Sequence, residues 1–142
     1  MNSTTFSKAN IYEETGLPEM GLRNYWYPVL AAWRLKIRRP KAIRILGEEI
    51  VLFRNKEKTF ALNNQCAHRG AKLSEGSCLY PDTNTLTCPY HGWTYSGETG
   101  KCIAKLMEGP KTNIPVEARV KTYPVREHLG IIWLFIGDMA AV

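Results

Sequence analysis

Apolar positions along this chain recur mostly in short alternating runs cut by turn residues, and no stretch carries the spacing of a long helix. "YWYPVLA" (25–31) predicts a first strand. "AIRIL" and "IVLFR" predict a hairpin turning across Gly47 and Glu48. The polar turn "KEKT" leads to a short strand, "FALN". A glycine- and turn-rich unit follows from Cys66 to Cys102. Within it "CLYPDTNTLTC" predicts a hairpin with Pro81, Asp82 and Asn84 at its tip, and "GWTYSGETGKCI" predicts another turning at "GETG". "KLMEGPKTNIP" has no periodicity. "VKTYPVRE" and "IIWLFIG" pair around "HLG", which puts His128 in an exposed turn. Upstream, "GLPEMGLRN" (16–24) predicts an arm with a helical turn opened by Pro18. The fold class is all-β, with a small subdomain inserted between strands.

The chain has 142 residues and a formal net charge of +6, the size of one domain with a real core. Five basic residues crowd into Lys36, Arg38, Arg39, Lys41 and Arg44. They fit a solvated hairpin edge that discourages strand-to-strand association, or a patch that steers an acidic partner. No nucleic-acid motif accompanies them, so no nucleic-acid partner is expected. The first 20 residues lack the apolar stretch of a signal peptide, and the longest apolar run, "IIWLFI", is far too short to span a membrane. The expectation is a soluble, cytoplasmic protein whose cysteines are metal ligands or buried thiols.

The chemistry lies in two short segments. "CAHRG" places Cys66 one residue from His68, and "CPYHGW" places Cys88 two residues from His91. Two of four cysteines thus stand beside two of three histidines, each pair next to glycine and in a predicted loop. The intervening hairpin can bring the loops together. Such a donor set is that of a metal site. One tetrahedral zinc would accept two cysteines and two histidines. Yet each loop offers one of each, an alternation that suits a two-iron cluster with both cysteines on one iron and both histidines on the other. "GETGK" (97–101) lacks the first glycine and the final hydroxyl of a phosphate loop, and no dinucleotide fingerprint occurs.

Cys66-Ala-His68-Arg69-Gly70 and Cys88-Pro-Tyr-His91-Gly92-Trp93 resemble the two cluster-binding loops of Rieske [2Fe–2S] proteins. The resemblance extends to the N-terminal domain of Rieske non-haem iron oxygenases, the ring-hydroxylating and demethylating enzymes. "NYWYPV" is similar to the opening strand of those domains, "LGEEIVLFRN" to their second hairpin and "YPVREHLGIIWLFIGD" to their closing segment. The match covers residues 22–138, leaving an arm at 1–21 and a tail at 139–142. It implies a Rieske-type antiparallel β-sandwich with an inserted cluster-binding subdomain at about 64–103. It implies a [2Fe–2S] cofactor held by Cys66, His68, Cys88 and His91, with Arg69, Gly70, Pro89, Trp93 and Tyr95 around it.

Departures from the family are informative. The spacing between the loops is slightly longer than usual, with the extra length placed at Pro81 to Asn84. Respiratory and photosynthetic Rieske proteins join their loops by a disulfide, where this chain has Ala71 and Tyr90, and use a serine where it has Trp93. With those donors missing, the expected potential lies toward the negative end of the range of about −150 to +300 mV. Tyr95 matches a tyrosine that donates to a cysteine sulfur; it either plays that part or caps the core edge. Cys78 and Cys102 are superfluous as ligands and read as buried thiols, or as a disulfide after air oxidation.

The implied function is one-electron transfer. A Rieske oxygenase also needs a mononuclear iron held by two histidines and a carboxylate, and His128 alone remains for that. The expectation is therefore the electron-accepting domain of a Rieske oxygenase, served by a reductase or ferredoxin, with the mononuclear iron in a domain or subunit outside this chain. A stand-alone Rieske-type ferredoxin and, more remotely, a zinc-stabilised binding module are the alternatives.

Overall fold

The computed structural model describes residues 21–80 and 82–142. The helical turn expected at Pro18 lies outside the described residues. Nine strands are found among them: β1 (Tyr25–Ala31), β2 (Lys41–Ile45), β3 (Glu48–Arg54), β4 (Thr59–Asn63), β5 (Thr85–Thr87), β6 (Trp93–Ser96), β7 (Cys102–Lys105), β8 (Val125–His128) and β9 (Ile131–Ile136). They form three antiparallel sheets of three strands, ordered β1-β9-β8, β2-β3-β4 and β5-β6-β7. The all-β expectation is met.

β3 explains how the sheets stack. Its run Ile50-Val51-Leu52-Phe53 is buried at every position. Alternate side chains leave a strand on opposite faces. Ile50 and Leu52 join Ala61, Leu134 and Ile136 in one core, whereas Val51 and Phe53 join Phe60, Leu62 and Leu86 in another. The middle sheet is thus apolar on both faces, which is why β3 reads as a continuous apolar run.

Backbone bonds weld the sheets. The Tyr123 amide donates to the Ala61 carbonyl at 3.0 Å and the Asn63 amide to the Lys121 carbonyl at 2.8 Å. Glu48 ties the same region by accepting from Arg23 (2.8 Å), Lys121 (3.0 Å) and the Tyr123 hydroxyl. Burial works against the Glu48 carboxylate, but these bonds outweigh it and hold its pKa down at about 2. Pro28, which has no N–H to give, sits on edge strand β1 where the register shifts before Leu30.

Several local expectations change. The β2–β3 turn falls on Leu46 and Gly47, both at positive φ, because Ile45 pairs with Glu48. This is the mirrored two-residue turn that matches strand twist. The Cys78–Cys88 stretch is not a full hairpin. Among its described residues, which exclude Pro81, only Thr85–Thr87 is strand, and its upstream partner is a single bridge from Ser77 to Thr87. His128 is exposed, as expected, but it ends β8; the turn is Leu129 and Gly130. Lys41 and Arg44 lie on β2, an edge strand, in keeping with edge protection. Arg38 does more: its guanidinium donates to the Cys78 carbonyl at 3.0 and 3.2 Å.

Candidate metal centre

Two loops project from the third sheet and its approach. The first leaves β4 through Asn64, whose buried amide accepts from the Ser74 amide (2.7 Å) and donates to the Ser74 hydroxyl (2.9 Å). That clamp gives the loop a fixed base. Inside it the Cys66 amide donates to the Ala71 carbonyl and the Gly70 amide to the Cys66 carbonyl, at 2.8 and 2.9 Å. Such tight closure needs Gly70 at φ +77.

The second loop closes from the Cys88 amide to the Trp93 carbonyl at 2.8 Å. His91 and Gly92 are both left-handed, at φ +56 and +68. A Cβ on Gly92 would come within 2.8 Å of the Leu106 Cβ. The left-handed pair therefore turns His91 outward while the backbone passes close to Leu106.

The loops bring all four paired residues to one end of the molecule. Cys66 and Cys88 are 3% and 2% exposed, His68 is half-buried and His91 is exposed. The two imidazole centroids lie 5.0 Å apart. An open cavity of about 440 Å³ lies among them, bounded also by Arg69, Ala71 and Tyr90. Arg69 is exposed at its edge, and Pro89 is exposed beside Cys88 in the second loop. Among the described residues, no three Cys, His, Asp or Glu side chains are grouped to hold a single ion. The arrangement is instead two buried thiols and two more exposed imidazoles around one cavity.

Electrostatics suit a cationic guest. Burial first, then the neighbouring Cys66, pushes the Cys88 thiol up to about 11, against the pull of the Tyr90 backbone amide. Two crowded, buried thiols become thiolates when a positive metal supplies the missing charge. Tyr95, fully buried on β6, accepts from the Ala67 amide at 3.0 Å and meets the Cys66 sulfur at 3.1 Å. Burial and Cys66 raise its pKa, so it stays protonated, and its one hydrogen is free to point at that sulfur. Trp93 stacks on His68, with centroids 4.4 Å apart and planes 12° apart. Its indole N–H donates to Glu108 at 3.3 Å. Cys78 and Cys102 are free and buried elsewhere in the same core, and burial raises both thiols.

The model of the Rieske [2Fe-2S] domain family matches residues 25–124. The chain belongs to the Rieske [2Fe–2S] domain family. Its cofactor is accordingly a [2Fe–2S] cluster, and the paired thiols and imidazoles fit it. Relatives lie among oxygenases. The Rieske domain is 36% identical over 131 residues to the terminal oxygenase component of carbazole 1,9a-dioxygenase from a Sphingomonas species, covering 92% of this chain and 34% of that protein. The terminal oxygenase of carbazole 1,9a-dioxygenase from Novosphingobium sp. KA1 superposes with a TM-score of 0.76 at 37% identity, over 84% of this chain and 32% of that one. A reduced complex between oxygenase and ferredoxin in carbazole 1,9a-dioxygenase matches with a TM-score of 0.75 at 32% identity, over 95% of this chain and 35% of that one. The chain thus spans about a third of the length of the relatives it matches. No helix among the described residues is long and apolar enough to cross a membrane.

Sequence reasoning missed Asn64, Lys105 and Glu108. Asn64 is a polar residue in a buried position, a signal visible only with burial known. Lys105 and Glu108 reach Trp93 through strand register and a following turn, which no local spacing announces.

Proposed function

We propose that this chain is the electron-accepting Rieske domain of a Rieske oxygenase, with Cys66 and Cys88 on one iron and His68 and His91 on the other. The carrying observation is the depth order of the four side chains: both thiols on the cavity floor, both imidazoles at its mouth. A [2Fe–2S] cluster held there by Cys66, His68, Cys88 and His91 would supply one-electron chemistry.

The residues have distinct tasks. Cys66 and Cys88 anchor the inner side within packed apolar surroundings. The Tyr95 hydroxyl donates to the Cys66 sulfur and favours the more negative, reduced form. Trp93 covers His68 and keeps water from that flank. His91, exposed beside Tyr90, is where an electron enters or leaves. Arg69 and Pro89 form part of the rim on which a partner docks. The partner is a one-electron donor, a ferredoxin or reductase, as supported by the similarity to an oxygenase in a reduced complex with ferredoxin. The acceptor is a mononuclear iron in an oxygenase domain or subunit beyond this stretch, since His128 alone remains for such a site.

The test is chemical. Purified protein is expected to carry iron and acid-labile sulfide at about two each per chain. It should take up and return single electrons yet hydroxylate no substrate when supplied with iron, oxygen and reductant. One zinc and no sulfide would overturn the reading, and single-turnover product formation would reveal a second iron site.

A further inference from the structure

We propose that Lys105 sets the electron affinity of the cluster by holding a buried positive charge over the indole that stacks on His68. This rests on the reading of His68 as an iron ligand. Lys105 ends β7 and pairs directly with Trp93 across β6. Its ammonium lies 4.4 Å from the centroid of the Trp93 ring, and that ring lies 4.4 Å from the His68 ring. Glu108 completes the unit: one carboxylate oxygen accepts from the Trp93 N–H at 3.3 Å and the other faces the Lys105 ammonium at 3.5 Å. The Asn113 carbonyl accepts from the same ammonium at 3.4 Å. Cation, indole and imidazole therefore form one contiguous stack ending at the metal site.

Burial makes this more than packing. The Lys105 side chain is 8% exposed, and lysine is among the residues least often buried. Packing alone would be met by an apolar chain of equal length, without the cost of desolvating an ammonium. The charge has a clear consequence. Taking up one electron from a reduced carrier adds one negative charge to the cluster, with no bond made or broken. A fixed cation nearby favours that state. Glu108 opposes the effect, but its side chain is 41% exposed and so more screened by water. The pair as a whole therefore favours reduction. Lys105 is a positioning residue: it meets His68 through Trp93 and acts through that ring and the field.

Redox titration of the cluster-loaded protein tests this. Lys105→Met is expected to lower the one-electron equilibrium constant about three- to tenfold, tenfold being ~59 mV. Lys105→Arg should restore most of the loss, because it keeps the charge and its attraction to the ring. Glu108→Gln should move the potential the other way by a smaller factor, since the amide oxygen still accepts from Trp93. Iron and sulfide content measured alongside reports the ligands separately. Full loading with an unmoved potential in Lys105→Met overturns the inference, as does an equal fall in the Met and Arg variants. If Lys105→Met fails to assemble, Glu108→Gln decides, and an unmoved or lowered potential there overturns it. A parent protein devoid of iron and sulfide would bring down the ligand reading, and this inference with it.

Discussion

Two cores meet at the middle sheet, and they are built differently. The one between β1-β9-β8 and β2-β3-β4 is almost wholly aliphatic, with Ile50, Leu52, Ile132, Leu134 and Ile136 completely buried. Tyr123 is its aromatic member, and its hydroxyl reaches Glu48. The other core, beneath the two loops, holds Val51, Phe53, Leu62 and Leu86 but also all four cysteines, Trp93 and Tyr95. The first closes by apolar burial, with the Glu48 contacts at its edge. The second buries two neighbouring thiols, Cys66 and Cys88, at the site. One half of the domain is thus expected to hold its fold unaided, and the other to draw on its cofactor.

Removing a ligand should separate the halves most sharply. Cys88→Ala is expected to abolish the cluster, with iron and sulfide near zero, and to loosen both loops, because metal binding supplies folding energy there. Amide hydrogen exchange would show protection lost around residues 66–71 and 88–93 but kept in β9. Loss of protection throughout would mean that the aliphatic core is not self-sufficient.

The converse experiment is Leu134→Ala. It opens a cavity in the aliphatic core and should cost about 2–5 kcal/mol of unfolding free energy in denaturant titration. The visible absorption per folded molecule should stay unchanged. A third variant, Tyr95→Phe, removes one hydroxyl in the cluster-side core. The expected result is a lower reduction potential and a loss of about 1 kcal/mol in stability, read by voltammetry and thermal melting. An unchanged potential would leave Tyr95 as a packing residue.

Acid should act mainly through the contact that ties the sheets of the aliphatic half. The Glu48 pKa falls from 4.5 to about 2 on folding, so its contribution is present above about pH 4.5 and is lost as the pH drops toward 2. Glu48→Gln should flatten that part of the stability profile while leaving the potential near neutral pH untouched.

Much of this organisation was legible along the chain. Short apolar or alternating runs set off by turn residues marked β1, β4, β6 and β9, and the cysteine–histidine pairs marked the site, because both signals are local. What escaped was set by long-range register. β6 and β7 slip by one residue between Thr94 and Tyr95: Ala104 pairs with Thr94 and Cys102 with Tyr95, leaving Ile103 unpaired and exposed. That slip helps bring Lys105 beside Trp93, and no composition or spacing foretells it. The shortened hairpin after Cys78 escaped for a related reason. Arg38, 40 residues away, occupies the Cys78 carbonyl, an arrangement absent from any local pattern.

The pairing of β1 with β9 carries a consequence in time. Ala31 pairs with Ile131 and Tyr25 with Ile136, so the first described strand joins the last. At synthesis rates of about 5–20 residues per second, β1 waits roughly 5–20 s for its partner to be made. Closing so long a loop also slows folding once the chain is complete. Meanwhile the middle hairpins, whose partners are adjacent, are free to form and the cysteine–histidine loops to emerge. On the ribosome, the cysteine–histidine loops thus emerge before β1 and β9 can pair and the domain can shut.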